Sequence, residues 1–175
     1  PLAQLEQIEL TLLGRHQAAN AAVALATLNE LSRQGWTIDP AAIRRGLQSV
    51  RWPARVECVH AAPTVVLDAA HNVASVEALT ETLDTCFAPG PRLLVFATTR
   101  EKDVSGMLRR LFERFETVIL TRYTNNPRGV PAKELLIIAE QLLGADVAAH
   151  RCQVAATPAD AWQLVRQQIT PAHLV

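Results

Sequence analysis

Residues 64–72 read TVVLDAAHN. An apolar run, Val65-Val66-Leu67, meets Asp68, two alanines, His71 and Asn72. A carboxylate and an imidazole at the end of a buried strand suit either ligand binding or plain turn formation. Asp68 can accept a hydrogen bond from a ribose hydroxyl, or it can orient neighbouring backbone N–H groups. His71 can contact a ligand or cap the next helix, and Asn72 is a good N-cap in its own right. From the residues alone, the capping roles weigh more for His71 and Asn72. Ala69 and Ala70 are small enough to let a ligand approach the backbone. Two more apolar runs end in polar clusters. RLLVFAT (92–98) leads into Thr98-Thr99-Arg100-Glu101-Lys102-Asp103, and TVILT (117–121) into Arg122-Tyr123-Thr124-Asn125-Asn126. In α/β sheets ligands bind at the carboxyl ends of the strands. The clusters therefore point to a functional rim, although every such sheet needs polar loops at both edges.

Upstream, Arg15 and His16 open a helical stretch, and Asn20 follows His16 by one turn, on the same face. An asparagine inside an alanine-rich helix is locally unfavourable. It is either solvent-exposed or reading a polar group such as an amide or an adenine edge. Arg55 stands after Pro53 at the start of a strand. A guanidinium there suits phosphate, and a surface arginine is the plainer account.

These side chains must be positioned by regular elements. EQIELTL (6–12) reads as a short strand. His16 to Gln34 reads as a helix, with Val23, Leu28 and Leu31 at helical spacing and Gly35 as its stop. Asp39 and Pro40 supply the N-cap and first turn of another helix. Pro53 then breaks regular structure, which places a domain boundary or hinge near residues 49–54. RVECVHA (55–61), TVVLD, RLLVFAT, TVILT and DVAAHRC (146–152) read as strands. Helices are expected over Asn72–Cys86, Val104–Phe115, Pro131 to about Leu143, and from Thr157-Pro158 to about Ile169. Strands alternating with amphipathic helices predict an α/β fold, a mostly parallel sheet covered on both faces.

Composition narrows the function. The 175 residues are 49% hydrophobic, with 17 Lys+Arg balancing 17 Asp+Glu. A net charge of zero gives no global field for nucleic acid or an anionic membrane. No apolar run is long enough to span a bilayer, and the N-terminus is no signal peptide. The first residue, Pro1, suggests a piece of something longer. Three scattered cysteines, Cys58, Cys86 and Cys152, argue against a disulfide framework and a structural zinc site. A cytoplasmic protein with reduced thiols is expected. The nearest two glycines, Gly35 and Gly46, are too far apart for GxGxxG or GxxxxGK[ST]. No HExxH or GxSxG is present either, so no complete catalytic apparatus is visible.

Four segments in order, LLGRHQAANAAVAL, RWPARVE, VVLDAAHN and FATTREKDV, resemble the C-terminal part of folylpolyglutamate synthase/dihydrofolate synthase, of the Mur ligase superfamily. The resemblance covers nearly the whole chain, and DAAHN before a helix is its most specific element. It implies a Rossmann-like domain over 51–175, shortened at its end, preceded over 1–50 by the tail of a central ATPase domain. It implies an ATP-dependent ligase that phosphorylates a folate carboxylate and lets the amino group of glutamate attack it. ATP and Mg would be held mainly by the N-terminal ATPase domain, which carries the P-loop, so this chain alone is expected to be inactive and to hold no catalytic residue. The implied partners are ATP, L-glutamate, folate or dihydropteroate, and that ATPase domain.

By the same resemblance Asn20 lies near the adenine, Arg55 reaches the ATP phosphates, and Asp68 contacts the nucleotide. His71 contacts nucleotide or glutamate, and Lys102 and Asp103 match a KD pair with a less defined role. The chain reads PAR where the family usually has PGR, and FAT where it usually has FG, so Ala54 and Ala97 add Cβ atoms that restrict the backbone. The alternatives are the C-terminal domain of a peptidoglycan Mur ligase and a stand-alone nucleotide-binding regulatory module.

Overall fold

The computed structural model describes residues 7–175. Two helices come first, α1 (Arg15–Arg33) and α2 (Pro40–Ser49). Asp39 caps α2 by accepting from the Ala41 N–H, and Pro40 fills the first turn, where no intrahelical donor is needed. There follow β1 (Glu57–Ala61), β2 (Thr64–Leu67), α3 (Val73–Cys86), β3 (Leu93–Phe96), α4 (Val104–Phe112) and β4 (Thr117–Leu120). The chain then forms α5 (Ala132–Leu143), α6 (Ala145–Arg151), β5 (Cys152–Val154) and α7 (Pro158–Gln168).

Strands β3, β4 and β5 form a parallel sheet with β4 in the middle. Its residues Val118, Ile119 and Leu120 are all 0% exposed, as a strand covered on both faces requires. Val118 and Leu120 join Met107, Leu108, Leu111 and Leu135 in one core. Ile119 turns the other way, into a smaller core with Leu93, Ala161 and Val165 of α7. Strands β1 and β2 pair antiparallel, with a bulge between Cys58 and His60. Residues 173–175 join the two sheets. Thr64 N–H donates to the His173 carbonyl, Val66 N–H to that of Val175, and Leu93 N–H to that of Leu174. Leu174 thereby bridges both neighbours in parallel.

Four expectations need correction. Residue 6 lies outside the described residues, and 7–12 form no strand. That segment is instead fastened by a side chain, Thr11 Oγ1 donating to the Val50 carbonyl. DVAAHRC is a helix, α6, up to Arg151, and the strand starts only at Cys152. Alanine-rich DVAAHR favours helix, and Gly144, at φ +85°, separates it from α5. Helix α4 stops at Phe112 rather than Phe115. The Arg151 guanidinium takes up the carbonyls of Phe112 and Phe115 at 2.7 and 2.6 Å, satisfying groups that the helix leaves open. Finally, the apolar spacing of α1 does not make a core face. Val23 is 68% exposed, and the one buried residue of α1 is Gln17. No helix among the described residues is long and apolar enough to cross a membrane.

Candidate functional site

The hinge between α2 and β1 is the most constrained backbone near the expected site. Ala54 has φ +53° and Val56 φ +49°. Left-handed backbone is costly for L-residues, and a β-branched residue there is a real outlier, on the order of 1–3 kcal/mol. The hinge persists because it is held from several sides. The Val56 side chain is buried in the main core. Asp68 Oδ2 accepts from the Val56 N–H at 2.8 Å, and Oδ1 from the Ala70 N–H at 2.7 Å. Ala69 N–H donates to the Ala54 carbonyl, and Glu57 Oε2 accepts from the Ala54 N–H. Asp68 therefore latches the hinge to the end of β2. Ala54 sits where glycine would be at ease, so the PAR sequence keeps the turn at the expense of strain. Ala97 has no positive φ and imposes no such strain.

Between the two strained residues stands Arg55. It lines a cleft of about 470 Å³ between α1, α2 and the hinge, with Asn20, His16, Gln17 and Trp52 among its walls. Most of the remaining wall is apolar: Leu10, Leu12, Leu47 and Val50. The volume lies in the range of small-molecule sites, and an apolar cleft with a few convergent polar groups is their usual character. The Arg55 guanidinium has no hydrogen-bond or ion-pair partner among the described residues. Asn20 is exposed to the cleft and gives one amide N–H to Gln17 Oε1 at 3.1 Å. Asn20 and Arg55, far apart in sequence, are thus brought together.

The other expected residues lie elsewhere. Asp68 and His71 line a second, smaller cleft at the carboxyl end of the sheet, about 210 Å³, with Thr98, Thr99 and Tyr123. His71 Nδ1 sits 3.2 Å from the Ala69 carbonyl, which can only accept, so Nδ1 carries the proton of that bond. Nε2 is left for other partners. Asn72 caps α3 in a reciprocal box with Ser75, as its type suggested. Asp103 caps α4, its Oδ1 accepting from the Gly106 N–H at 2.8 Å. Lys102 precedes it and makes no side-chain hydrogen bond or ion pair with the described residues. Arg100 is committed to a two-pronged ion pair with Glu134 at 2.8 and 2.9 Å. That hydrogen bonding raises the guanidinium pKa and holds the Glu134 carboxyl below its usual range. Two cleft residues escaped the sequence. Gln17 is marked only by lying between His16 and Asn20, and Trp52 only by adjoining the hinge; it is 61% exposed. Among the described residues no cluster of three or more His, Cys, Asp or Glu could hold a metal ion.

The family model of the Mur ligase, glutamate ligase domain, matches residues 54–175. The chain belongs to the Mur ligase family. Among relatives of this Mur ligase domain is the dihydrofolate synthase/folylpolyglutamate synthase of Mycobacterium tuberculosis. It is 37% identical over 141 residues, 79% of this chain and 29% of the relative. The folylpolyglutamate synthase of Lacticaseibacillus casei is 33% identical, over 73% of this chain and 30% of its own length. The chain thus spans about a third or less of these relatives. Among solved structures, M. tuberculosis folylpolyglutamate synthase complexed with ADP superposes with a TM-score of 0.80 at 35% identity. That match covers 91% of this chain and 34% of the other. E. coli FolC in complex with DHPP and ADP gives a TM-score of 0.80 at 27% identity, over 98% and 37%. A Yersinia pestis bifunctional folylpolyglutamate synthase/dihydrofolate synthase with Mn, AMPPNP and L-glutamate bound gives 0.77 at 26%, over 98% and 37%.

Proposed function

We propose that this chain is the C-terminal part of an ATP-dependent ligase that adds L-glutamate to folates, and that it closes over the nucleotide. Residues 1–50 are then the tail of the ATPase domain and 51–175 the C-terminal domain, in a cytoplasmic enzyme. The observation that carries the proposal is the shared cleft of Asn20 and Arg55, with the arginine left unpaired on a latched hinge. Asn20 meets the adenine edge. The Arg55 guanidinium neutralises phosphate oxygens, and its donor fork matches their geometry. Asp68 serves the nucleotide through the hinge: by holding the Val56 N–H it fixes the backbone that aims Arg55. His71 offers Nε2 at the sheet rim to nucleotide or glutamate. Asp103 fixes the turn that presents Lys102 beside it. Mg would be held with ATP by the ATPase portion; among the described residues no cluster of three or more His, Cys, Asp or Glu could hold it.

The same cleft in a stand-alone module would bind nucleotide without consuming it. Phosphate release from ATP by the complete protein, measured with L-glutamate and with dihydropteroate or a reduced folate, separates the two. Release that requires both organic substrates is expected. Release indifferent to either would overturn the proposal.

A further inference from the structure

We propose that Trp52 is a nucleotide-binding residue: its indole ring is the platform on which the purine base stacks, while Arg55 beside it takes the phosphates. The assignment rests on the nucleotide reading of the cleft given above.

A tryptophan normally spends its large apolar ring on packing. Trp52 does not: it is 61% exposed and belongs to neither core. Its indole N–H has no hydrogen-bond partner among the described residues. Its ring faces are free of cations as well. The cation–π contact among the described residues is that of Arg151 with Phe112, between α6 and α4. The backbone that carries the ring is nevertheless fixed. Pro53 confines the residue before it to extended conformations. Ala54, next along, is held by Glu57 Oε2 at its N–H and by the Ala69 N–H at its carbonyl. A platform ordered before the ligand arrives loses less entropy on binding.

Its place beside Arg55 says what the ring is for. Trp52 lines the cleft that holds Asn20, and Trp52 and Arg55 together also line an adjoining cleft of about 780 Å³. Ring and guanidinium are thus neighbours on the latched hinge. The ligand that answers such a pair carries a flat ring at one end and anionic oxygens at the other, as a nucleotide does. Leu12, Leu47 and Val50 add apolar wall around the ring, and Asn20 adds the polar group that meets the base edge. A ring face carries no pattern of donors and acceptors, so stacking supplies affinity and leaves the choice of base to the edge contact. The other surface that could cover Trp52 in the complete protein is the ATPase portion, and the two occupants predict different kinetics.

The test is steady-state kinetics of the complete ligase with ATP varied, together with thermal melts, for wild type, Trp52→Leu, Trp52→Tyr and Asn20→Ala. Trp52→Leu should raise the KM for ATP by about tenfold or more, the scale of a base on an aromatic ring. Its kcat should stay within about threefold of wild type, because the base is remote from the reacting phosphate and stacks equally in ground and transition states. Its melting temperature should not move. Trp52→Tyr keeps a π-face and should hold the KM for ATP within about threefold of wild type. A ring packed against the ATPase portion would instead give Trp52→Leu a lower melting temperature and an unchanged KM for ATP; that result overturns the proposal. So does a Trp52→Tyr enzyme as impaired as Trp52→Leu, or a kcat loss that exceeds the rise in KM. An unchanged KM in Trp52→Leu beside a raised KM in Asn20→Ala rejects the platform and spares the base site. An unchanged KM in both variants rejects the base site, and the platform with it. Should Trp52→Leu not fold, Trp52→Thr carries the same test; the same rise in KM is expected, and an unchanged KM overturns the proposal.

Discussion

Asp68 is first of all a structural tie. Its two oxygens hold the N–H groups of Val56 and Ala70, and the first of these belongs to a strained, buried residue. In Asp68→Asn one oxygen becomes a donor, and one of those N–H groups loses its acceptor. The loss should be about 1–3 kcal/mol in the urea unfolding of the chain; an unshifted midpoint would remove the latch. In the complete ligase the same variant should lower kcat more than it raises the KM for ATP, since a loose hinge misplaces Arg55 at closure. Ala54→Gly tests the strain itself. Relief of a left-handed alanine outweighs the extra freedom of glycine in the unfolded chain, for a gain of roughly 0.5–1 kcal/mol. Equal or lower stability would show that the hinge is not strained at that residue. The sequence marked Asp68 but left its two roles open. The backbone partner that ties it to the hinge, Val56, is twelve residues upstream and across a strand pair. Nothing local in DAAHN reports it.

At the scale of elements, the α/β alternation was legible wherever the pattern was long and periodic. All five apolar positions expected on α4 and its exit, from Met107 to Phe115, are buried. The caps of α2, α3 and α7 were legible from Asp39, Asn72 and Thr157 because capping is local chemistry. Helix α6 was not, because its seven residues are too few for periodicity to separate helix from strand. The end of α4 depends on Arg151, a partner distant in sequence. Another tie at this scale is Asp84 of α3, which pairs with Arg92 at the start of β3 and Arg114 after α4. Partial burial raises the Asp84 pKa, but the bonds from Arg92 and Arg114 outweigh it and hold the carboxyl below its ordinary 3.8. A depressed folded-state pKa stabilises above the unfolded value and loses that contribution as pH falls through the folded one. Asp84→Asn should therefore cost about 1 kcal/mol near neutrality, allowing for solvent screening, and nothing once the pH is well below 3.8. Melting curves at pH 7 and in strong acid measure this; a gap that persists in acid would contradict it.

For the molecule as a whole, the proposal divides the site between this chain and an ATPase portion. The cleft of Asn20 and Arg55 is lined by α1, α2 and the hinge, and no metal cluster or glycine-rich phosphate loop is present among the described residues. The 175-residue chain by itself should show no ATP-dependent glutamate addition, and any detectable turnover by it would contradict the division of labour proposed here. The central claim is that Arg55, aimed by the latched hinge, engages the nucleotide phosphates. Because its guanidinium has no partner among the described residues, Arg55→Ala should leave the melting temperature of the complete ligase unchanged. The same variant should lower kcat/KM for ATP by roughly ten- to a thousandfold, about 1.4–4 kcal/mol of lost phosphate stabilisation. A well-folded Arg55→Ala enzyme within about a factor of two of wild type would contradict the account.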